Sequence, residues 1–159
     1  QGDKIDDGWL GASIYQQHHG DDGIYAPPPL DLAAEQKTGS FVRQQILSGG
    51  ISAAHDIADG GLVVAIAEMA MRSGFGADIA VPKTGNLHGW AFGEDQARFV
   101  VSTADSQTLT AAAKEAGIKI TKLGMVSDRS ELKFGDNDTI SVADLNAVFE
   151  GRIPALMAG

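Results

Sequence analysis

A chain of 159 residues with 43% apolar side chains is long enough to bury a core without staples, and the absence of cysteine excludes a disulfide framework and a thiolate metal site. Twelve basic against 21 acidic residues leave a net charge of -9 and a pI near 4.7; with Lys and Arg scattered, this argues against a nucleic-acid partner. No apolar run approaches the roughly 18 residues of a membrane span and no signal peptide opens the chain, so a soluble, cytoplasmic protein is expected.

No low-complexity linker divides the chain, and a single domain over residues 1–159 is expected. Gln1-Gly2-Asp3-Lys4 runs straight into patterned sequence, as in a piece of a longer polypeptide. Leu10 to Gln16 suggests a short strand or a helix start, followed by a polar loop holding His18 and His19 and by Pro27-Pro28-Pro29. The prolines can lead into a helix but not continue one. From Leu30 to Leu47 the apolar positions fit an amphipathic helix stopped by Gly49-Gly50, and Ile51 to Ala54 reads as a strand. Leu62 to Met71 is apolar on nearly every side, the pattern of a helix packed between layers, with Gly74 as its stop.

Ala77 to Val81 is a further strand halted by Pro82, so strand, helix and strand are expected to form a right-handed crossover unit. Ala97 to Ser102 is a strand, Asp105 to Ala116 a helix capped by Asp105 and closed by Gly117, and Ile118 to Val126 a strand. Glu131 to Phe134 and Thr139 to Ser141 form a hairpin around Gly135-Asp136-Asn137-Asp138. Ser141 and Asp144 resemble a capping box opening a last helix through Phe149. The mixed order predicts an α+β fold, a mixed sheet with helices packed on its faces.

The segment His55-Asp56-Ile57-Ala58-Asp59-Gly60-Gly61-Leu62 places two acids and two glycines where a strand turns into the buried helix. Two interpretations fit. In one, Asp59 is an N-cap and Gly60 and Gly61 permit tight packing. In the other, the helix amides hold a phosphate; Asp56 and Asp59 would repel a bare phosphate, so a divalent cation must lie between them. A further polar segment, Phe92-Gly93-Glu94-Asp95-Gln96-Ala97-Arg98, crowds the entrance to a strand. Glu94 and Gln96 share a side if extended, and either bind a metal or a ribose hydroxyl or close a turn.

Other motifs are missing. There is no G-x-x-x-x-G-K-[ST], no dinucleotide fingerprint and no H-E-x-x-H, and no serine sits in a G-x-S-x-G elbow. His88 lies beside Trp90 in what reads as a glycine-containing loop. A general acid or base would have to be His55, Asp56 or Glu94.

Taken together, the His55 to Met69 run and the Phe92 to Arg98 run resemble the last domain of the phosphoribosylformylglycinamidine synthase family, formylglycinamide ribonucleotide amidotransferases of purine biosynthesis. The opening Gly2-Asp3-Lys4 to Ser13, the proline entry to Leu30 through Glu35 and the tail Phe149 to Met157 agree in order, so the resemblance covers nearly the whole chain. It implies the second C-type domain of a tandem from the aminoimidazole ribonucleotide synthase superfamily, part of the synthetase subunit of an ATP-dependent ligase. Such enzymes use ATP and Mg²⁺ to activate formylglycinamide ribonucleotide and add glutamine-derived ammonia, giving formylglycinamidine ribonucleotide. Their catalytic histidines lie in the N-type domains, so no catalytic residue is expected here and the piece alone is expected to be inactive.

The implied partners are the N-terminal domains of the same chain, a glutaminase subunit and a small accessory subunit; self-association of the isolated piece is a further expectation. By pseudo-symmetry the resemblance implies Asp56 as a Mg²⁺ ligand and Glu94, Asp95 and Gln96 as ligand contacts; together with Asp59, Gly60 and Gly61 of the acidic turn these three are the candidate nucleotide or phosphate contacts. Asp95 replaces a familial serine and adds negative charge where a substrate would lie. The rivals are another member of the superfamily, of the thiamine-phosphate kinase or selenophosphate synthase type, and a non-catalytic scaffold module.

Overall fold

The computed structural model describes residues 8–20, 26–136 and 138–158. In chain order the elements are α1 (Ile14–His19), α2 (Leu32–Leu47), β1 (Ala53–Asp56), α3 (Gly61–Ser73), β2 (Gly76–Ile79), α4 (Leu87–Phe92), β3 (Phe99–Ser102), α5 (Ser106–Glu115), β4 (Gly124–Ser127), β5 (Glu131–Phe134), β6 (Asp138–Ser141) and α6 (Val142–Met157). The fold is α+β, as expected. The chain divides into two compact units, residues 1–65 with 84–122 and residues 66–83 with 123–159.

In the first unit, local capping decides where helices begin. The Ser13 hydroxyl accepts from the Gln16 amide at 3.2 Å and donates to the Leu10 carbonyl at 2.6 Å. Residues 14–19 are therefore helical, and His18 and His19 form the last turn of α1 rather than a loop. The Asp31 carboxylate accepts from the amides of Ala33 and Ala34, both at 3.0 Å, so α2 starts at Leu32 rather than Leu30. Asp105 caps α5 through the Gln107 and Thr108 amides, and Gly117 closes it in a left-handed conformation whose carbonyl takes the Lys37 ammonium at 2.9 Å. α4 stands where a loop was expected, because the Asn86 side chain accepts from the Gly89 amide at 3.1 Å and starts a turn.

β1 and β3 form an antiparallel pair with Ala53 opposite Ser102 and Asp56 opposite Phe99. Val42, Ile51 and Leu109 are buried together, with Phe41, Phe99, Val101 and Ile120 packed against them. Burial of this kind supplies roughly 1.5–3 kcal/mol per large aliphatic side chain.

The second unit is a mixed four-stranded sheet in the order β4-β2-β5-β6. β2 runs antiparallel to β4 and parallel to β5, and β5 and β6 form the expected hairpin, turned through Gly135 at φ +62°; Asn137 of that turn lies outside the described residues. Leu132 on β5 is 1% exposed. Arg129 donates two hydrogen bonds to the Asp78 carboxylate, at 2.6 and 2.7 Å. The Ser141 hydroxyl accepts from the Asp144 amide at 2.9 Å and donates to the Asp144 carboxylate at 2.6 Å, which opens α6 as expected. The helix continues past Phe149 to Met157, and Val148, Phe149, Ile153 and Leu156 on it are exposed.

Two expectations about strands are corrected. β1, α3 and β2 make no crossover unit, because β1 is paired with β3 and β2 belongs to the other sheet. Apolar periodicity marks a strand but not its partner. The strand expected over Ile118 to Val126 is regular only from Gly124, where pairing with Ile79 begins, while Ile120 is drawn into the apolar cluster of the first unit. Among the described residues no helix is long and apolar enough to cross a membrane.

Candidate functional site

The β1 to α3 turn and the segment before β3 meet at a cleft of about 310 Å³ within the first unit. The antiparallel ladder brings them together: Asp56 faces Phe99, and the Ile57 amide donates to the Arg98 carbonyl at 2.9 Å. Asp56, Asp59, Glu94 and Gln96 all line the cleft, so four of the residues singled out in the sequence converge there. Glu35 on α2 and Arg98 join them. One of Glu35's carboxylate oxygens is buried without a hydrogen-bond partner.

Of the roles open to Glu94, the structure shows one that closes a turn. A single oxygen, Oε1, accepts from the Gly60 amide at 2.8 Å and from the Ile14 amide at 2.9 Å. The Glu94 amide in turn donates to the Trp9 carbonyl at 3.0 Å. One carboxylate thereby ties the acidic glycine turn, the start of α1 and the entrance to β3, satisfying amides that a helix start otherwise leaves without partners. It also occupies the Gly60 amide, the donor that a phosphate at this turn would need.

Gly60 and Gly61 both adopt left-handed backbone, at φ +84° and +75°, and are buried. With Gly60 directly ahead of α3 in this conformation and Gly61 opening the helix in it, no extended residue precedes the helix, so Asp59 does not cap it. Its exposed carboxylate accepts no hydrogen bond from the described residues, and the turn is closed instead by the Gly61 amide donating to the Ala58 carbonyl at 3.0 Å. A Cβ at Gly61 would lie 2.6 and 2.7 Å from the backbone of Phe92. The glycine is there for close approach of two chain segments.

Asp95 is placed beneath the cleft rather than in it. It is 2% exposed, and its Oδ2 accepts from Arg98 Nη1 at 2.6 Å. Its charge is thus neutralised inside the protein and does not face a ligand. Burial of a carboxylate is tolerated only with such a partner. Its Oδ1 is buried without a hydrogen-bond partner.

His55 is not part of the cleft; its Nδ1 lies 2.7 Å from the Asp56 carbonyl oxygen. His88 and His19 flank Tyr15, whose ring stacks on Phe92 at 4.8 Å. Among the described residues, no three His, Asp or Glu side chains cluster closely enough to hold a metal by themselves.

Sequence alone did not single out Glu35 or Arg98 for this cleft. Glu35 is an ordinary polar position on α2, and Arg98 merely ends a run whose acids and amide carried the chemical signal. A backbone feature marks the same place: among the described residues, Ala12 and Ala97 are the non-glycine residues with positive φ, at 60° and 59°, and both line the cleft. Alanine in that conformation costs about 1–2 kcal/mol, and strain of this sort concentrates at functional sites.

An α+β domain whose acidic glycine turn and pre-strand polar segment share one cleft defines the class to which this protein belongs. The chain is a member of the family described as AIR synthase related protein, C-terminal domain, whose model matches residues 2–137. It is 45% identical over 154 residues to phosphoribosylformylglycinamidine synthase subunit PurL of Methylocella silvestris, covering 96% of this chain and 21% of that protein. The chain therefore spans about a fifth of the length of the curated relatives it matches. Among solved structures, PurL of Thermotoga maritima complexed with FGAR shares the fold with a TM-score of 0.66 at 17% identity, over 79% of this chain and 23% of that one. The same protein complexed with ADP gives 0.63 at 17% identity, over 74% and 22%.

Proposed function

We propose that this chain is the second C-type domain, residues 1–159, of a phosphoribosylformylglycinamidine synthase synthetase subunit. In that role it forms part of an ATP-dependent ligase that converts formylglycinamide ribonucleotide, ATP and glutamine-derived ammonia to formylglycinamidine ribonucleotide in purine biosynthesis. The observation that carries the reading is the 45% identity along 96% of the chain to a subunit of that name. The family match runs through both compact units, which supports treating them as one domain. The rest of the same polypeptide, a glutaminase subunit and a small accessory subunit are the partners this role requires, and the cytoplasm is its compartment.

Within the domain, the cleft takes a nucleotide with Mg²⁺, and catalysis belongs elsewhere in the enzyme. Mg²⁺ commonly uses one or two carboxylates together with phosphate oxygens and water. That fits a cleft with several acids but no closed cluster of metal ligands among the described residues. Asp56 holds the ion, with Asp59 beside it and Gln96 as a neutral hydrogen-bonding contact; the bound ion supplies charge neutralisation between acids and phosphate. Glu94, Gly60, Gly61 and Asp95 shape the cleft without touching the ligand.

The test of the role is complementation. In a purine auxotroph lacking the subunit, the complete protein restores growth and deletion of residues 1–159 abolishes it; growth without this domain overturns the proposal. Asp56→Asn in the complete protein impairs growth if the cleft is needed, whereas unchanged growth and assembly would favour a scaffold role.

A further inference from the structure

Arg98 is the one basic side chain among the described residues lining the cleft, where the other charged groups are the carboxylates of Glu35, Asp56, Asp59 and Glu94. Its position is built. Asp95, 3% exposed in its side chain, accepts from Nη1 at 2.6 Å, while the Arg98 side chain keeps 29% exposure. Among the described residues its guanidinium has no other protein hydrogen bond, so Nε and Nη2 are left to donate. The backbone contributes as well: Ala97, in its left-handed conformation, sets the direction of the next residue, and the Arg98 carbonyl is tied to the Ile57 amide of the acidic turn at 2.9 Å.

A guanidinium pinned on one edge by a buried carboxylate is preorganised, and its planar fork matches phosphate oxygens. Serving Asp95 alone would require only that edge. We propose that Arg98 is the anion-anchoring group of this cleft, held in place by Asp95, and that it donates to the phosphate oxygens of a metal-bound phosphate ligand. Asp95 is then a positioning residue, one half of a buried pair. The division of labour follows from charge: Asp56, with Asp59 beside it, takes the cation and Arg98 takes the phosphate. This inference rests on the cleft being a Mg²⁺-nucleotide site.

The experiment is calorimetric titration of this chain with Mg²⁺-ADP, for the wild type, Asp56→Asn, Arg98→Lys and the double variant Asp95→Asn/Arg98→Gln. Removing both charges avoids leaving a buried carboxylate unpaired, and urea unfolding verifies that each variant is folded. Saturable binding by the wild type, lost in Asp56→Asn, is expected. The double variant should then bind about tenfold or more weakly, the size of a lost charge-assisted hydrogen bond. Arg98→Lys keeps the charge but not the fork and should fall between. If either folded Arg98 variant binds as tightly as the wild type, Arg98 serves only Asp95 and the inference is overturned. Should the double variant not fold, Arg98→Lys decides alone. Absence of binding by the wild type instead sinks the reading of the cleft, and the inference with it.

Discussion

Gly61→Ala is the substitution for which the structure yields the most definite magnitude. Gly61 is at φ +75°, and an added Cβ would sit 2.6 Å from the carbonyl carbon and 2.7 Å from the Cα of Phe92, both backbone atoms that cannot swing aside. Two costs follow: about 1–2 kcal/mol for placing a Cβ on left-handed backbone and about 1–3 kcal/mol for overpacking. Gly49→Ala is the matched control. That glycine is at φ +77° with nothing within 4 Å of its added Cβ, so only the first cost applies. Any gain from a stiffer unfolded chain is common to both and cancels. Gly61→Ala should therefore unfold more easily than Gly49→Ala by about 1–3 kcal/mol, roughly 2–12 °C in Tm for a chain of this size. Both tryptophans, Trp9 and Trp90, lie in the same unit as these glycines, so urea unfolding followed by fluorescence reports on that unit. Equal midpoints for the two variants would refute the close-approach argument.

The Glu94 clip separates charge from geometry. A glutamine keeps a carbonyl oxygen able to accept from both Gly60 and Ile14, whereas alanine leaves the buried Gly60 amide unsatisfied, at about 1–3 kcal/mol. Hydrogen exchange at Gly60 should stay slow in Glu94→Gln and become fast in Glu94→Ala; fast exchange in both variants would show that the carboxylate charge, not its oxygen position, is what matters, and slow exchange in both would refute the clip. At Asp105, the Thr108 hydroxyl above all, with the Thr108 and Gln107 amides, holds the carboxyl below its usual range against the opposing effect of burial. A depressed folded pKa contributes stability above the unfolded value of about 3.9 that is lost as pH falls through the folded value. The destabilisation caused by Asp105→Ala should thus be largest near neutral pH and shrink as pH drops below about 4. A penalty in urea midpoint that stays constant down to about pH 2 would contradict it.

What could be read directly from the residues is what acts over three or four positions. The Asp105 cap, the Ser141 and Asp144 box, and the glycines closing α3 and α5 were all legible, since a side chain bonds an amide two or three residues on and the partner is therefore written beside it. The family runs around Asp56 and Glu94 were legible because each is a contiguous string of residues. Asp59 shows the limit: its position beside a helix suggested a cap, but the two left-handed glycines that follow exclude the required backbone.

Tertiary structure decided everything that joins distant segments. Glu94 is 34 residues from Gly60 and 80 from Ile14, and no local rule assigns its single oxygen to both. Likewise, Asp95 had the character of a charge offered to a ligand until its burial and its bond to Arg98 made it internal. The pairing of β1 with β3, and of β2 with β4 and β5, set which side chains meet at the cleft and which lie in the other sheet. Backbone pairing groups are the same in every strand, so a sequence marks where strands form, while the choice of partner comes from packing the whole chain.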